Sequence, residues 1–345
     1  MRPRVAIVLF NLGGPDGPEA IRPFLLNLFR DPAILRVPFF IRPFLARRIA
    51  GARLEPARAS YALLGGRSPL LALTEAQAAA LEAELPEFDA KCFIAMRYWH
   101  PQSDVTARAV RDWAPDDIVL LPLYPQYSGT TTGSSLSAWR AAAAAAGLVA
   151  DTATLCCYPT DLAFVGATAG LLERAWQAAS AELAPGLRLR VLFSAHGLPE
   201  AIVAGGDPYQ WQIEQTVAAV LEAWGEAVDW AVCYQSRATP QRWIGPSTEE
   251  EIERAAHDGV AILVVPIAFV SDHSETLVEL DIDYRTLAEK LGVPGYFRVP
   301  VPNTDPDFIT ALAALVRSVR ARGPGTCSHA GARICPADRS GCPLP

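Results

Sequence analysis

The chain has 345 residues, enough at roughly 150 residues per domain for two domains or one large one with a sizeable core. Hydrophobic residues make up 51% and charged residues 19%, which excludes a disordered chain. The 30 Lys and Arg against 37 Asp and Glu leave a net charge of −7, so no overall positive field exists to hold phosphates, and nucleic acid is excluded as a partner.

The N-terminus is basic, but only six apolar residues, 5–10, precede Asn11 and a Gly-Gly-Pro turn, too few for a secretory core. No apolar run approaches the ~18 residues of a spanning helix, since the alanine-rich stretch 141–150 is bounded by Arg140 and Asp151. A cytoplasmic location is therefore expected. Seven cysteines, an odd number without a leader, speak against a disulfide framework and leave reduced thiols or metal ligands.

Short β-rich runs alternate with longer segments of helical periodicity, the pattern of an α/β fold with parallel sheets. Strands are expected at 5–10, 93–98, 118–123, 189–194, 230–234 and 261–267. They fall into two sets of three. Leu9-Phe10-Asn-Leu-Gly-Gly14 is similar to Leu192-Phe193-Ser-Ala-His-Gly197, and the third strand of each set carries a proline, Pro122 and Pro266. We read a duplicated α/β unit. Two such units facing each other would gather the loops past their strand ends on one cleft, the expected active site.

Two glycine loops invite comparison with phosphate cradles. Gly129-Thr-Thr-Thr-Gly133 lacks the lysine of a P-loop, and Pro15 with Asp16 blocks close approach at Gly13-Gly14, so both read as turns. Ser247-Thr248-Glu-Glu-Glu251 reads as a capped helix start. The segment 22–53 carries seven arginines against Asp31 alone, interleaved with phenylalanines and leucines. Such a segment suits an anionic bilayer surface or the lip of a pocket for a flat, carboxylate-bearing apolar ligand, and equally a buried helix pair with snorkelling arginines.

His196 follows a strand in Phe193-Ser-Ala-His-Gly-Leu-Pro199, where its imidazole can accept a proton, bind a metal or bond a backbone carbonyl. Asp272-His273-Ser274-Glu275 follows the last strand, with Glu279 and Asp283 beyond it. Glu275, Glu279 and Asp283 are spaced i, i+4, i+8, so an α-helix would align them in one stripe that favours protons or cations. Cys327, Cys335 and Cys342 close the chain in a tail rich in Gly, Pro and Ser. Three thiols suggest a metal whose fourth ligand comes from Cys156, Cys157 or His329.

Ser194-Ala-His-Gly-Leu-Pro199, Tyr234-Gln-Ser-Arg237 with Trp243-Ile-Gly-Pro246, and Ser271-Asp-His-Ser-Glu-Thr276 with Glu279-Leu-Asp-Ile-Asp-Tyr284 resemble the ferrochelatase family in unbroken order. So do Asn11-Leu-Gly-Gly-Pro15 and Tyr124-Pro-Gln-Tyr-Ser128. The resemblance implies a lyase of haem biosynthesis that inserts Fe(II) into a porphyrin, built from two similar Rossmann-like domains around a cleft. The domains are expected at 1–153 with 300–345, and at 154–299.

The resemblance further implies that His196 and Glu275 bind the substrate iron or take the pyrrole protons. Asp272 and His273 would support them, and Glu279 and Asp283 would continue a path for protons or iron. Leu12, Tyr61, Ser68, Arg97, Tyr98, Tyr124, Trp243 and Phe269 match porphyrin-pocket positions. Leu12, where other members carry tyrosine, resembles the enzymes that use protoporphyrin IX. A [2Fe-2S] cluster on Cys327, Cys335, Cys342 and Cys157, with Cys156 as the next candidate, is implied by members with cluster ligands in this region. Where animal members have a cluster cysteine, this chain has Gly129. A non-catalytic tetrapyrrole or metal carrier of the same fold is the alternative function, and a homodimer is among the assemblies left open.

Overall fold

A computed structural model describes residues 2–236 and 241–345. They divide into two compact units, Met1–Cys157 with Leu312–Arg333 and Pro343–Pro345, and Tyr158–Ala311 with Ile334–Cys342. The expected boundaries at 153/154 and 299/300 differ from these in one respect of consequence: Cys335 and Cys342 belong to the second unit, whereas Cys327 belongs to the first.

The first unit begins with β1 (Arg4–Asn11), α1 (Ile21–Arg30), α2 (Arg42–Leu63), α3 (Leu70–Ala83) and β2 (Asp89–Met96). It continues with α4 (Ser103–Trp113), β3 (Asp117–Pro122), a π-helical turn at Gly129–Gly133, α5 (Ser134–Ala146) and β4 (Asp151–Leu155). The second unit contains α6 (Leu162–Glu182), β5 (Leu189–His196), α7 (Glu200–Ala204), α8 (Tyr209–Trp224), β6 (Asp229–Gln235), α9 (Thr248–Asp258) and β7 (Ala261–Pro266). A π-helix over Glu275–Tyr284, α10 (Arg285–Leu291) and β8 (Tyr296–Arg298) follow. The boundary between units then falls within α11 (Pro306–Ala321), after which β9 (Gly325–Cys327) returns to the first sheet.

Both sheets are parallel, ordered β2-β1-β3-β4-β9 and β6-β5-β7-β8. Setting β9 aside, each has its second strand at one edge, its first inside that, then its third and fourth. This shared order is what a duplicated unit predicts. Each sheet centres on an apolar strand that is buried on both faces, β1 and β5, as expected when helices cover both sides. The strands β4, β8 and β9 were not expected. Asp151–Leu155 has a single large apolar residue, and the other two are three-residue edge strands, too short to show a period.

The expected stripe of acids on an α-helix is corrected. Glu275–Tyr284 is a π-helix, in which Asp283 is exposed and Tyr284 is buried. The expected helix start at Ser247 is present as a full capping box: Ser247 Oγ accepts from Glu250 N at 3.2 Å and Glu250 Oε2 accepts from Ser247 N at 2.6 Å. The segment 22–53 divides between its readings. Phe24, Leu25 and Phe29 of α1 bury against Ala46, Ala50 and Tyr61 of α2, but Phe39 and Phe44 are 79% and 71% exposed. No helix among the described residues is long and apolar enough to cross a membrane.

Candidate functional site

In the second unit, strand β5 ends at His196, and its parallel register with β6 sets Gln235 beside it. Gly197 lets the chain turn there, since a Cβ at that position would lie 3.0 Å from the Gln235 carbonyl oxygen and 3.3 Å from the Trp243 ring. From the opposite side comes the π-helix. His196 Nδ1 and Glu275 Oε2 are 2.9 Å apart, and among the described residues no hydrogen bond engages His196 Nε2. The side chains are 35% and 23% exposed, so the pair is open to a ligand.

Burial alone would lower the imidazole pKa, but the charge and hydrogen bond of Glu275, with Glu279 behind it, hold it above its ordinary value. Burial likewise opposes ionisation of Glu275, yet His196, with His273 Nε2 at 3.7 Å, holds its carboxyl far below the usual range. Each side chain therefore favours the charged form of the other, imidazolium and carboxylate, in which Nδ1–H donates to Oε2.

His273 Nδ1 donates to the Ser271 carbonyl at 3.1 Å, which fixes the ring, and Phe269 lies against it at 4.8 Å between centroids. Asp272 does not reach His196. Its oxygens accept from Thr276 Oγ1 at 2.8 Å and Asn303 Nδ2 at 2.8 Å, and Arg298 lies 3.5 Å away. Asn303, with φ +45°, in turn accepts from Asp272 N at 3.0 Å. Asp272 thus anchors the start of the π-helix rather than meeting a substrate. Trp243 bridges to Pro199 in a short antiparallel contact beside Gly197. Arg237 of the quoted motif lies outside the described residues.

Gln235, Ser236 and Tyr284 stand in this site although none was singled out as a site residue. Buried Gln235 accepts from Ser194 Oγ at 2.9 Å and donates to Glu279 Oε2 at 3.0 Å and to the Glu275 carbonyl at 3.3 Å. Ser236 Oγ also donates to Glu279 Oε2. Asp283 makes no hydrogen bond to these acids among the described residues. The signal in the sequence was adjacency: Gln235 and Ser236 sit inside the Tyr-Gln-Ser-Arg run.

In the first unit a second cluster surrounds buried Asp31. Its Oδ2 pairs with Arg97 Nη2 at 2.7 Å and accepts from Tyr98 Oη at 2.9 Å and from Ser134 Oγ, while Oδ1 accepts from Ala33 N at 2.8 Å. Arg97 Nε donates to Ser134 Oγ at 2.6 Å. Arg97 keeps a partly exposed guanidinium, but Tyr98 is wholly buried, which corrects its expected place in a pocket wall. Leu12 accepts from Tyr98 N at 2.9 Å, and Tyr61 is buried in the α1 and α2 cluster. Ser68 closes on Gly14, where a Cβ would lie 2.5 Å from Ser68 Cβ; only glycine fits. Tyr124 packs against the core beneath β1 and β3.

The tail thiols have the donor chemistry of a thiolate-held cluster. Pairing of β4 with β9 sets Leu155 opposite Cys327, so Cys156 N donates to the Cys327 carbonyl at 2.8 Å and Cys157 follows beside it. In the second unit, Gln212 Nε2 donates to Cys335 Sγ at 3.2 Å. Among the described residues no three His, Cys, Asp or Glu side chains are gathered to hold a metal ion.

The family model described as Ferrochelatase matches residues 4–320. The ferrochelatase of Caulobacter vibrioides is 52% identical over 347 residues, covering 99% of this chain and 98% of that protein. That of Phenylobacterium zucineum is 52% identical, covering 96% and 97%. Among solved structures, SirB from Bacillus subtilis with Fe3+ superposes with a TM-score of 0.53 at 12% identity, covering 93% of this chain and 96% of that one, a likeness of fold. With a family model over nearly its whole length and relatives at half identity end to end, the chain belongs to the ferrochelatase family.

Proposed function

We propose that this enzyme inserts ferrous iron into protoporphyrin IX with loss of the two pyrrole protons, and that His196 and Glu275 carry the reaction. The observation that supports this most is the 2.9 Å pair at the end of β5, with Nε2 of the imidazole left for substrate. An imidazolium cannot accept a proton, so the charged form of the pair must first be discharged. Ferrous iron, the substrate, does so by electrostatics: a dication approaching Glu275 cancels the field that keeps His196 protonated. The imidazole then gives up its proton and is free to take one from a pyrrole nitrogen. Glu279, held by Gln235 and Ser236, receives protons on the side away from substrate. Asp272 and His273 hold the π-helix and the Glu275 carboxylate in place.

Arg97 is the group for a porphyrin propionate, braced by Asp31 and Ser134, and Tyr98 acts from below by bonding Asp31. Leu12 favours the vinyl-bearing protoporphyrin over a more carboxylated one. Tyr61, Ser68, Tyr124, Trp243 and Phe269 complete the porphyrin contacts, Tyr61 and Tyr124 by supporting the wall. Exposed Phe39, Phe40, Ile41 and Phe44, flanked by exposed Arg36, Arg47 and Arg48, suit peripheral contact with an anionic membrane face, from which an apolar porphyrin would enter. A [2Fe-2S] cluster on the tail thiols is a reading supported by their donor chemistry alone; no step of the reaction uses it.

The test is absorbance-followed insertion of Fe(II) or Zn(II) into protoporphyrin IX. Wild-type protein should metallate the porphyrin, and His196→Ala should lose turnover while keeping its fold. Near-normal turnover by that variant removes His196 from the chemistry.

A further inference from the structure

The proposed reaction releases two protons per porphyrin into a partly enclosed site, and the hydrogen bonds beyond Glu279 show a way out. The buried phenol of Tyr284 lies between two carboxylates, with its oxygen 3.1 Å from Glu279 Oε1 and 3.3 Å from Glu249 Oε1. A phenol has one hydrogen and an ionised carboxylate only accepts, so two full hydrogen bonds need a proton on one carboxyl, whereas two ionised carboxylates would have to share the single phenolic hydrogen. Glu279 is placed to be that acid. Its Oε2 is saturated by Gln235 and Ser236, leaving Oε1 to donate to the phenol. Burial, then the charge of Glu275, raises its pKa, while Ser236, Gln235 and His196 oppose the shift. Glu249 is half-buried in the first turn of α9, next to exposed Glu250.

We propose that Glu279, Tyr284 and Glu249 form the proton exit from the His196 and Glu275 pair to the surface at the start of α9. This deepens, and rests on, the metal-insertion reading. In each passage the Glu279 O–H bond breaks as its proton joins the Tyr284 oxygen, and the phenolic O–H bond breaks as that hydrogen joins Glu249. Glu249 passes its proton to water, and Glu279 is reprotonated from the His196 side, where Gln235 Nε2 ties the Glu275 backbone to the Glu279 carboxyl. One proton enters and one leaves, twice per porphyrin, with no change of oxidation state. The path turns off the π-helix at Tyr284 and does not continue to exposed Asp283.

The experiment uses the full chain with protoporphyrin IX and Zn(II), comparing wild type, Tyr284→Phe, Glu249→Gln and the double variant. Tyr284→Phe removes one oxygen and keeps the packed ring, and Glu249→Gln acts at the half-buried end. Each single variant should lower kcat by about tenfold or more, the scale of a lost proton-transfer group. The KM for porphyrin should stay unchanged and the solvent deuterium isotope effect on kcat should rise. The double variant should be no slower than the slower single, because one missing link already interrupts the path. An active wild type with both single variants within about twofold, or with losses that multiply at an unchanged isotope effect, overturns the relay. A wild type that metallates no porphyrin overturns the insertion reading itself, a distinguishable result.

Discussion

Replacing Asp31 by asparagine should cost the first unit about 3 kcal/mol of stability, the low end of what breaking a buried ion pair costs. The size follows from the geometry. Asp31 Oδ2 faces three donors, from Arg97 at 2.7 Å, Tyr98 at 2.9 Å and Ser134, while Oδ1 faces the Ala33 amide at 2.8 Å. An asparagine must turn its NH2 toward one set or the other, so a donor meets a donor whichever way it flips. The carboxylate side chain is 2% exposed and has no recourse to water, but Arg97 is 23% exposed and recovers part of its solvation, which sets the low end of the range. For a unit of 150–250 residues, about 2–4 °C is lost per kcal/mol, so the melting temperature should fall by roughly 6–12 °C. Calorimetry of wild type and Asp31→Asn reads this directly, and the KM for porphyrin should rise as Arg97 loses its brace. A melting temperature within about 2 °C of wild type would refute the reasoning, because the cluster would then hold nothing that the fold needs.

Two further outcomes follow from exposed and tail residues. Wild-type protein should cosediment with anionic vesicles at low salt and be released as salt screens Arg36, Arg47 and Arg48, and replacing Phe39, Phe40 and Phe44 together by serine should abolish binding; equal binding by that variant would leave this loop without a membrane role. The protein purified without porphyrin should be red-brown, and Cys335→Ser should bleach it; colourless protein with zinc, or with freely titrating tail thiols, would remove the [2Fe-2S] assignment.

The two-part α/β organisation was legible because its long strands are uniform apolar runs closed by glycine or proline, and the matching strand orders of the two sheets bear out the duplication. His196 and Glu275 were legible as motif residues, but nothing in their spacing revealed that they touch, since 79 positions separate them. The π-helix was hidden because an i, i+4, i+8 pattern of acids reads as an α-helical stripe; its wider i→i+5 turn gives Tyr284 to Glu279. Asp31 looked like the odd acid in an arginine-rich segment, yet its partner lies 66 positions away at Arg97, a pairing made by packing alone. Tyr98 was misplaced for a similar reason. Its neighbour Arg97 faces outward, but a loop residue's direction follows no period, and the tyrosine turns inward to Asp31.

The central claim is that His196 is the base and Glu275 sets its proton affinity, and the pH profile of kcat/KM for zinc insertion, measured for wild type and Glu275→Gln, tests it. The neutral imidazole is the working form, so activity should rise with pH through the pKa of His196, which Glu275 raises above 6.5. In Glu275→Gln the burial that lowers this pKa remains while the raising charge is gone, so the residual activity should be much reduced and its acid limb should move to lower pH. An acid limb that stays in place, or a variant as active as wild type, would contradict the account.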